Sequence, residues 1–290
     1  MTFGEYFDLK APGAAISAKF NAHYRSFVLD VPYNSALAFL YAFGAKGSAS
    51  PANWGDNCIA LSVRARQMFC SNNRYLYLVS GRHRSLVYQD DISGNIVLLD
   101  PYLLHEYPIL LNPLLRSPGQ AFRYPSFPKD TFSGMELVYD SRTHLIREER
   151  CTLRGKVTFD YDLNYPLFVD PDPYEERLLF DNEQDNLSIR IIDPSLSYTA
   201  HLVVLLKPLY KDRARTGCKD DVPIFSIAGK TICSENKKMF WLVAKTIAAN
   251  VGVDSEELIH FLKNATKAYI AYAPEGLTYI KNVNSNESNL

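Results

Sequence analysis

The sequence predicts an α+β fold, and three observations predict it. Both ends of the chain carry apolar residues at helical spacing behind capping residues. The middle, from Tyr75 to about Lys207, breaks into short runs rich in Leu, Val, Ile and Tyr, separated by Asp, Asn, Gly and Pro. At 290 residues, with 47% hydrophobic and 22% charged, the chain is long enough to bury a sizeable core.

Taken in order, the N-terminal part is helical. A short helix is expected over Ala14–Tyr24, and Ser35 is placed to cap a second one through Phe43, ended by Gly44. A Gly-, Ser- and Asn-rich loop then leads to Cys58. From Cys58 the spacing is helical again, with Cys58, Leu61, Ala65 and Met68 on one face. Tyr75–Ser80 and Arg84–Gln89 read as strands, Asp90–Asn95 as a turn and Ile96–Leu99 as the next strand. The proline-punctuated stretch from Pro101 to Pro128 predicts loops and short extended pieces. Met135–Tyr139, His144–Arg150 and Leu153–Phe159 predict further antiparallel strands.

Residues 160–185 are an acidic, proline-broken connection, expected as a solvated surface loop. Leu187–Ile192 and Ala200–Lys207 read as two more strands, and Lys211–Val222 as a charged loop. Two helices close the fold. One is capped by Ser234 and runs from Glu235 to about Asn250. The other spans Ser255–Tyr272, with Asp254 and Glu257 as its capping box. Residues 283–290 are expected to fray. By composition the chain divides into 1–125, with the helices and the Cys58–Asp100 stretch, 126–232, an antiparallel β region, and 233–290, the closing helices and tail, all packing as one unit.

Composition also excludes function classes. Net charge is -1 with no Lys/Arg run, so neither nucleic acid nor an anionic membrane surface is expected as a partner. No apolar run reaches the roughly 18 residues of a membrane span. The first ten residues carry acids and no apolar signal core, which predicts a cytoplasmic protein. The five cysteines are scattered, without a Cys-x-x-Cys pair, and a reducing compartment leaves them as thiols. His105-Glu106 lacks the second histidine of a zinc helix, and no glycine-rich phosphate loop is present, so neither a metal nor a tightly bound cofactor is predicted. The 19 Tyr and 16 Phe suit either core edges or a pocket for a flat substrate. For oligomeric state the prior is a homodimer.

The chemistry lies between Cys58 and Asp100. A thiolate is the working nucleophile, and a helix N-terminus and a nearby histidine both favour it. Cys58 stands at a predicted helix start, and His83 follows 25 residues later, enough chain for the helix, a turn and a returning strand. Asp100 lies 17 residues beyond His83 across a hairpin. If the loop holds an even number of residues, His83 and Asp100 share a face. A four-residue loop at Asp90–Ser93 sets them directly opposite, and other even loops shift the pairing by two. Asp100 would then hold the imidazole's tautomer. Singly, each residue also fits a structural role: Cys58 as a small core side chain, His83 as a turn residue between two arginines, Asp100 as a strand end before proline.

The order Cys–helix–strand–His–strand–Asp resembles the papain-like core shared by transglutaminase-like proteins and arylamine N-acetyltransferases. The run H-R-S-L-V-Y-Q-D-D-I-S-G-N-I-V-L-L-D-P-Y is similar to the transglutaminase-like His strand followed by a strand ending in Asp-Pro. Chain length, the helical start V-P-Y-N-S-A-L-A-F-L and the β middle resemble the acetyltransferases more. The resemblance implies Cys58 as acyl acceptor, His83 as base and Asp100 as its orienter. It implies a thiol-dependent, amide-forming acyltransferase that takes an acyl group from acyl-CoA or an acyl-carrier protein and passes it to a small amine or aromatic substrate, a reaction suited to specialised-metabolite (natural product) biosynthesis. The residues before Cys58, N-W-G-D-N, depart from the acetyltransferases' R-G-G, which leaves donor and acceptor open. Three alternatives stand beside it: hydrolysis of an amide or isopeptide, acid–base condensation or cyclisation of an aromatic molecule by His83 and a carboxylate, and a catalytically inactive binding module.

Overall fold

Capping and burial decide where the elements of this chain begin. The computed structural model describes residues 2–9, 14–43, 54–70, 74–126, 135–152, 155–174, 186–193, 198–205, 224–227, 230–232 and 238–272. The chain starts with α1 (Phe3–Tyr6), closed by a Thr2/Glu5 capping box, and α2 (Ala18–Asp30). Strand β1 (Tyr33–Asn34) leads into α3 (Ser35–Phe43), and α4 spans Cys58–Phe69. Next come β2 (Arg74–Ser80), β3 (His83–Gln89), β4 (Ile96–Leu99) and β5 (Ile109–Leu110), then the short α5 (Leu111–Arg116). Strands β6 (Ala121–Tyr124), β7 (Met135–Asp140), β8 (Leu145–Thr152) and β9 (Gly155–Asp162) follow. The remainder is β10 (Asn186–Asp193), β11 (Tyr198–Leu205), β12 (Ile224–Ile227), β13 (Lys230–Ile232), α6 (Lys238–Val251) and α7 (Ser255–Tyr272).

The class is α+β. Where one central sheet was expected, the described strands form three, all antiparallel: β2-β3-β4-β5, β6-β7-β8-β9 and β1-β10-β11-β12-β13. The chain forms two compact units. One joins Met1–Asp30 to Cys58–Asp172, and the other joins Val31–Asn57 to Pro173–Leu290. The composition boundaries at 125 and 232 fall inside these units, one in each.

In the first unit, β2–β5 is buried on both faces. Leu76, Leu78, Val87, Ile96 and Leu98 meet Leu137, Ile146 and Tyr161 of the β6–β9 sheet. On the other face Ser62 of α4 donates its hydroxyl to the Arg84 carbonyl (2.6 Å), and Phe20 of α2 meets Tyr88. Two-sided burial explains why β3 is buried at every position and why its sequence does not alternate. Phe20, Tyr24 and Phe27 of α2 gather around Phe69 of α4. In the second unit, α6 and α7 lay Phe240, Val243, Ile247, Leu258 and Leu262 against Leu187, Ile189, Leu202 and Val204, together with Ala36 and Leu37 of α3. Each fully buried aliphatic side chain contributes about 1.5–3 kcal/mol.

Several boundaries moved for local reasons. Helix α2 starts at Ala18 because the Ser17 hydroxyl accepts the Phe20 N–H, and it runs on because Phe27 and Val28 continue its buried face. Asn34, not Ser35, caps α3, its Oδ1 accepting from the Ala36 and Leu37 amides, while the Ser35 hydroxyl bonds the Ser188 backbone. Met68 is exposed rather than on the buried face of α4, which is made by Ile59, Ala60, Leu61, Ser62 and Ala65. Helix α5 forms although it contains Pro113, because a proline in the first helical turn costs no intrahelical hydrogen bond. Strands β12 and β13 were not foreseen. Asp254 caps α7 by accepting the Glu257 N–H at 2.7 Å. The expected Gly44 stop, the Lys211–Val222 loop, the Ser234 cap and the 283–290 tail lie outside the described residues. Among the described residues no helix is long and apolar enough to cross a membrane.

Candidate active site

The site is built on the hairpin of β2 and β3. Ser80 pairs with His83, leaving a two-residue turn, and Gly81 takes its first central position at φ +56°, as a II′ hairpin needs. The Arg84 guanidinium donates to the carbonyls of Gly81 (2.6 Å) and His83 (2.9 Å), satisfying the turn's backbone. His83 is therefore the first residue of a buried strand, only 5% exposed, and not an exposed turn residue.

The β3–β4 loop spans six residues, since Gln89 pairs with Ile96. Its length is even, so His83 and Asp100 do share a face, but the direct opposition expected from a four-residue loop is replaced by a shift of two. Continuing the register one step beyond Leu86–Leu99 sets Ser85 opposite Asp100, with His83 on the diagonal. The imidazole reaches across that diagonal, and His83 Nε2 lies 2.5 Å from Asp100 Oδ2. The same carboxylate oxygen accepts the Ser85 hydroxyl, and Oδ1 accepts the Leu103 N–H at 3.0 Å. Tyr24, on α2, accepts the Asp100 backbone N–H at 3.0 Å. Asp100 itself is fully buried.

Electrostatics follow from this packing. Burial opposes a charged imidazole, but the Asp100 charge and hydrogen bond, helped by Cys58, outweigh it and raise the His83 pKa to about 10. Burial likewise opposes the Asp100 carboxylate, yet the charge and hydrogen bond of His83, the His105 charge and the Ser85 bond hold its pKa below the ordinary value. The pair is thus an imidazolium and a carboxylate. Its desolvation costs several kcal/mol per ion and is offset by the hydrogen bonds on both carboxylate oxygens.

Cys58 is the first residue of α4 and is half-buried. With Nε2 facing Asp100, Nδ1 is the imidazole nitrogen left over, and it has no partner at full hydrogen-bond geometry among the described residues. The Cys58 thiol is close enough to act on the imidazole through hydrogen bonding and charge. Cys70, at the other end of α4, is a contrast: it is buried, and burial pushes its thiol far up. Around the imidazole stand Tyr102, Phe159 and Tyr161, with ring centroids at 5.1, 5.0 and 6.3 Å.

Three contributors escaped the sequence reading. Ser85 is legible once the loop is counted as six residues, because D-D-I-S-G-N fills it and the apolar run restarts at Ile96. Tyr24 and Tyr161 carry no local signal, since only the tertiary fold brings them to Asp100 and Ser85. His105 makes a separate buried pair with Glu148 at 2.9 Å, and its neighbour Glu106 faces Arg25 at 3.5 Å. Among the described residues no group of three or more His, Cys, Asp or Glu side chains is arranged to hold a metal ion.

Fold and side chains together define an α+β protein with a buried His–Asp pair beside a cysteine at a helix start. No family model matches the sequence, and no curated protein matches it. Solved structures similar in backbone include the arylamine N-acetyltransferase of M. smegmatis, at 9% identity and TM-score 0.49 over 92% of this chain and 97% of that one. Another is the arylamine N-acetyltransferase from Mycobacterium abscessus, at 12% identity and TM-score 0.46 over 91% and 93%. The Mycobacterium marinum arylamine N-acetyltransferase in complex with CoA matches at 10% identity and TM-score 0.44 over 85% and 92%.

Proposed function

We propose that this chain is a thiol-dependent acyltransferase that moves an acyl group from a thioester to an amine through Cys58. One observation carries the reading: His83 Nε2 is engaged by Asp100 at 2.5 Å, which leaves Nδ1 for the thiol at the start of α4. This is a papain-like disposition, with cysteine opening a helix, histidine opening a strand and aspartate following the next strand. With the proton already held on His83, the Cys58 sulfur attacks the thioester carbonyl. The positive end of α4 faces the oxyanion that develops. Collapse expels the donor's thiolate, which takes the proton from His83, and leaves an acyl group on Cys58. An amine then attacks the acyl carbon and gives a proton to His83, and Cys58 leaves as the thiolate. Thioester and amine become amide and thiol, with atoms and protons balanced.

Acyl-CoA or an acyl-carrier protein is the donor in this reading, and a small amine, aromatic ones included, is the acceptor. Specialised-metabolite synthesis is the setting it suits, and a cytoplasmic location would keep Cys58 reduced. The test is the intact mass of the protein after incubation with acetyl-CoA and with a short-chain acyl-carrier protein. Wild type is expected to gain one acyl group, mapped to Cys58, and to lose it when an arylamine is added. Cys58→Ala and His83→Ala are expected to gain none. Activity retained in Cys58→Ala but lost in His83→Ala would replace this reading with acid–base condensation, and loss of the acyl group to water alone would replace it with hydrolysis.

A further inference from the structure

We infer that Ser85 is a positioning residue of this thiol site, its hydroxyl holding Asp100 from directly across the strand pair while its small size lets His83 reach over it. The inference rests on the thiol reading above. Residues directly opposed across antiparallel strands have Cβ atoms about 4.5–5.5 Å apart, and diagonal ones about 7–8 Å. His83 occupies the diagonal, so its ring has to pass beside the opposed side chain to meet Asp100. A branched or longer residue at 85 would fill that path. Serine leaves it open and adds a donor.

The protons in this cluster can be counted. Ser85 Oγ approaches three atoms: Asp100 Oδ2, Tyr161 Oη at 3.0 Å and His83 Nε2 at 3.1 Å. It has one proton, and the carboxylate is the strongest acceptor of the three. His83 Nε2 is itself a donor to the same carboxylate, so it cannot accept from Ser85. With the serine proton given to Asp100, the Tyr161 hydroxyl is the donor to Ser85 Oγ. The chain of donation therefore runs in one direction, from Tyr161 to Ser85 to Asp100, and meets the bond from His83 at the same oxygen. It keeps a hydrogen on Nε2 whether the ring is charged or neutral, and Nδ1 is turned to Cys58. Ser85 is fully buried, so it meets no substrate and acts only through Asp100 and His83.

The titratable groups facing this cluster are few. Asp100 is faced by His83, His105 and the phenols of Tyr24 and Tyr161. His83 is faced by Asp100 and Cys58, and Glu148 acts on both phenols. Burial, before any charge, keeps both phenols protonated, so they serve as fixed dipoles.

Alkylation of Cys58 in the full chain by iodoacetamide, followed by peptide mass from about pH 4 to 9, tests the inference. Wild type is expected to show a reactive Cys58 that His83→Ala slows. Ser85→Ala, checked by its melting curve, is expected to slow alkylation at mildly acid pH roughly tenfold and to move the acid limb up by about one pH unit, the loss of one hydrogen bond to a charged group. Loss of packing alone would leave that limb in place. Ser85→Ala with the wild-type rate and limb overturns the inference while leaving the thiol reading intact. A wild-type Cys58 that His83→Ala does not slow ends the thiol reading, and this inference falls with it. Should Ser85→Ala fail to fold, Tyr161→Phe carries the test: a limb shifted in the same direction supports the inference, and an unmoved one overturns it.

Discussion

Asp100 receives more donors than a strand end before proline requires. His83, Ser85 and the Leu103 amide all donate to its carboxylate, and burial denies it water. Its partner His83, raised from 6.5 to about 10, gives the fold stability that is complete below the ordinary imidazole pKa and is lost as pH rises through about 10. Asp100, depressed below 3.8, gives stability that is present above that value and lost as pH falls. The urea midpoint is therefore expected to fall between about pH 7 and 10. His83→Gln, which does not titrate there, should flatten that slope. An unchanged slope in His83→Gln would place the alkaline loss elsewhere. At this scale the sequence offered candidate residue types, but not that His83 and Asp100 are buried while Cys58 is half-buried. Cys58, His83 and Asp100 stand in legible order along the chain. The raised pKa of His83 comes from Asp100 and Cys58 and prevails over burial, and no local pattern announces the rings of Phe159 and Tyr161 that β9 sets beside the imidazole.

At the scale of elements, two glycines show how the same backbone choice carries different weight. Gly55 and Gly81 both sit at positive φ, where a side chain costs about 1–2 kcal/mol. A Cβ on Gly81 would meet nothing within 4 Å, whereas one on Gly55 would stand 1.9 Å from the Pro32 carbonyl oxygen. Gly55 precedes Asp56, whose amide donates to that same oxygen at 3.1 Å and whose carbonyl accepts the Asn34 N–H at 2.8 Å. Gly81→Ala is expected to lower unfolding stability by about 1–2 kcal/mol and Gly55→Ala by about 2–5 kcal/mol, the backbone cost plus overpacking. Equal losses in a denaturation series would refute the role given to Pro32. The strands β2, β3 and β4 were legible because apolar runs between turn residues have few other readings. Their register was legible only to parity, because Asp90–Asn95 closes as a six-residue loop, the Asp90 carboxylate accepting the Ser93 N–H and the Asp90 N–H donating to the Asn95 carbonyl, which composition does not fix. Helix α5 and strands β12 and β13 are too short for periodicity to declare.

On the scale of the whole molecule, each unit is assembled from two separate stretches of chain. Residues 31–57 belong with 173–290, and β1 finds its partner in β10, where Tyr33 pairs with Arg190. A fragment of residues 1–172 therefore contains every strand of two sheets but leaves α3 without its cover, since Ala36, Leu37 and Ala38 pack with Leu187, Leu202 and Phe240. Such a fragment is expected to aggregate on expression. Replacing residues 31–57 within it by a short Gly-Ser linker should recover soluble protein. A soluble, monomeric 1–172 fragment would show that α3 needs no partner. No composition boundary could announce this arrangement, because the stretches that join are apolar in the same way as those that do not.

That interleaving also sets a timetable. A ribosome releases α3 roughly 140 residues before β10, the strand that gives β1 its neighbours. At about 5–20 residues per second, the apolar helix waits roughly seven to thirty seconds for its partner while the first unit is still being made. Newborn chains of this protein thus carry an uncovered greasy segment through about half of their synthesis, and they are natural clients for a chaperone at the tunnel exit.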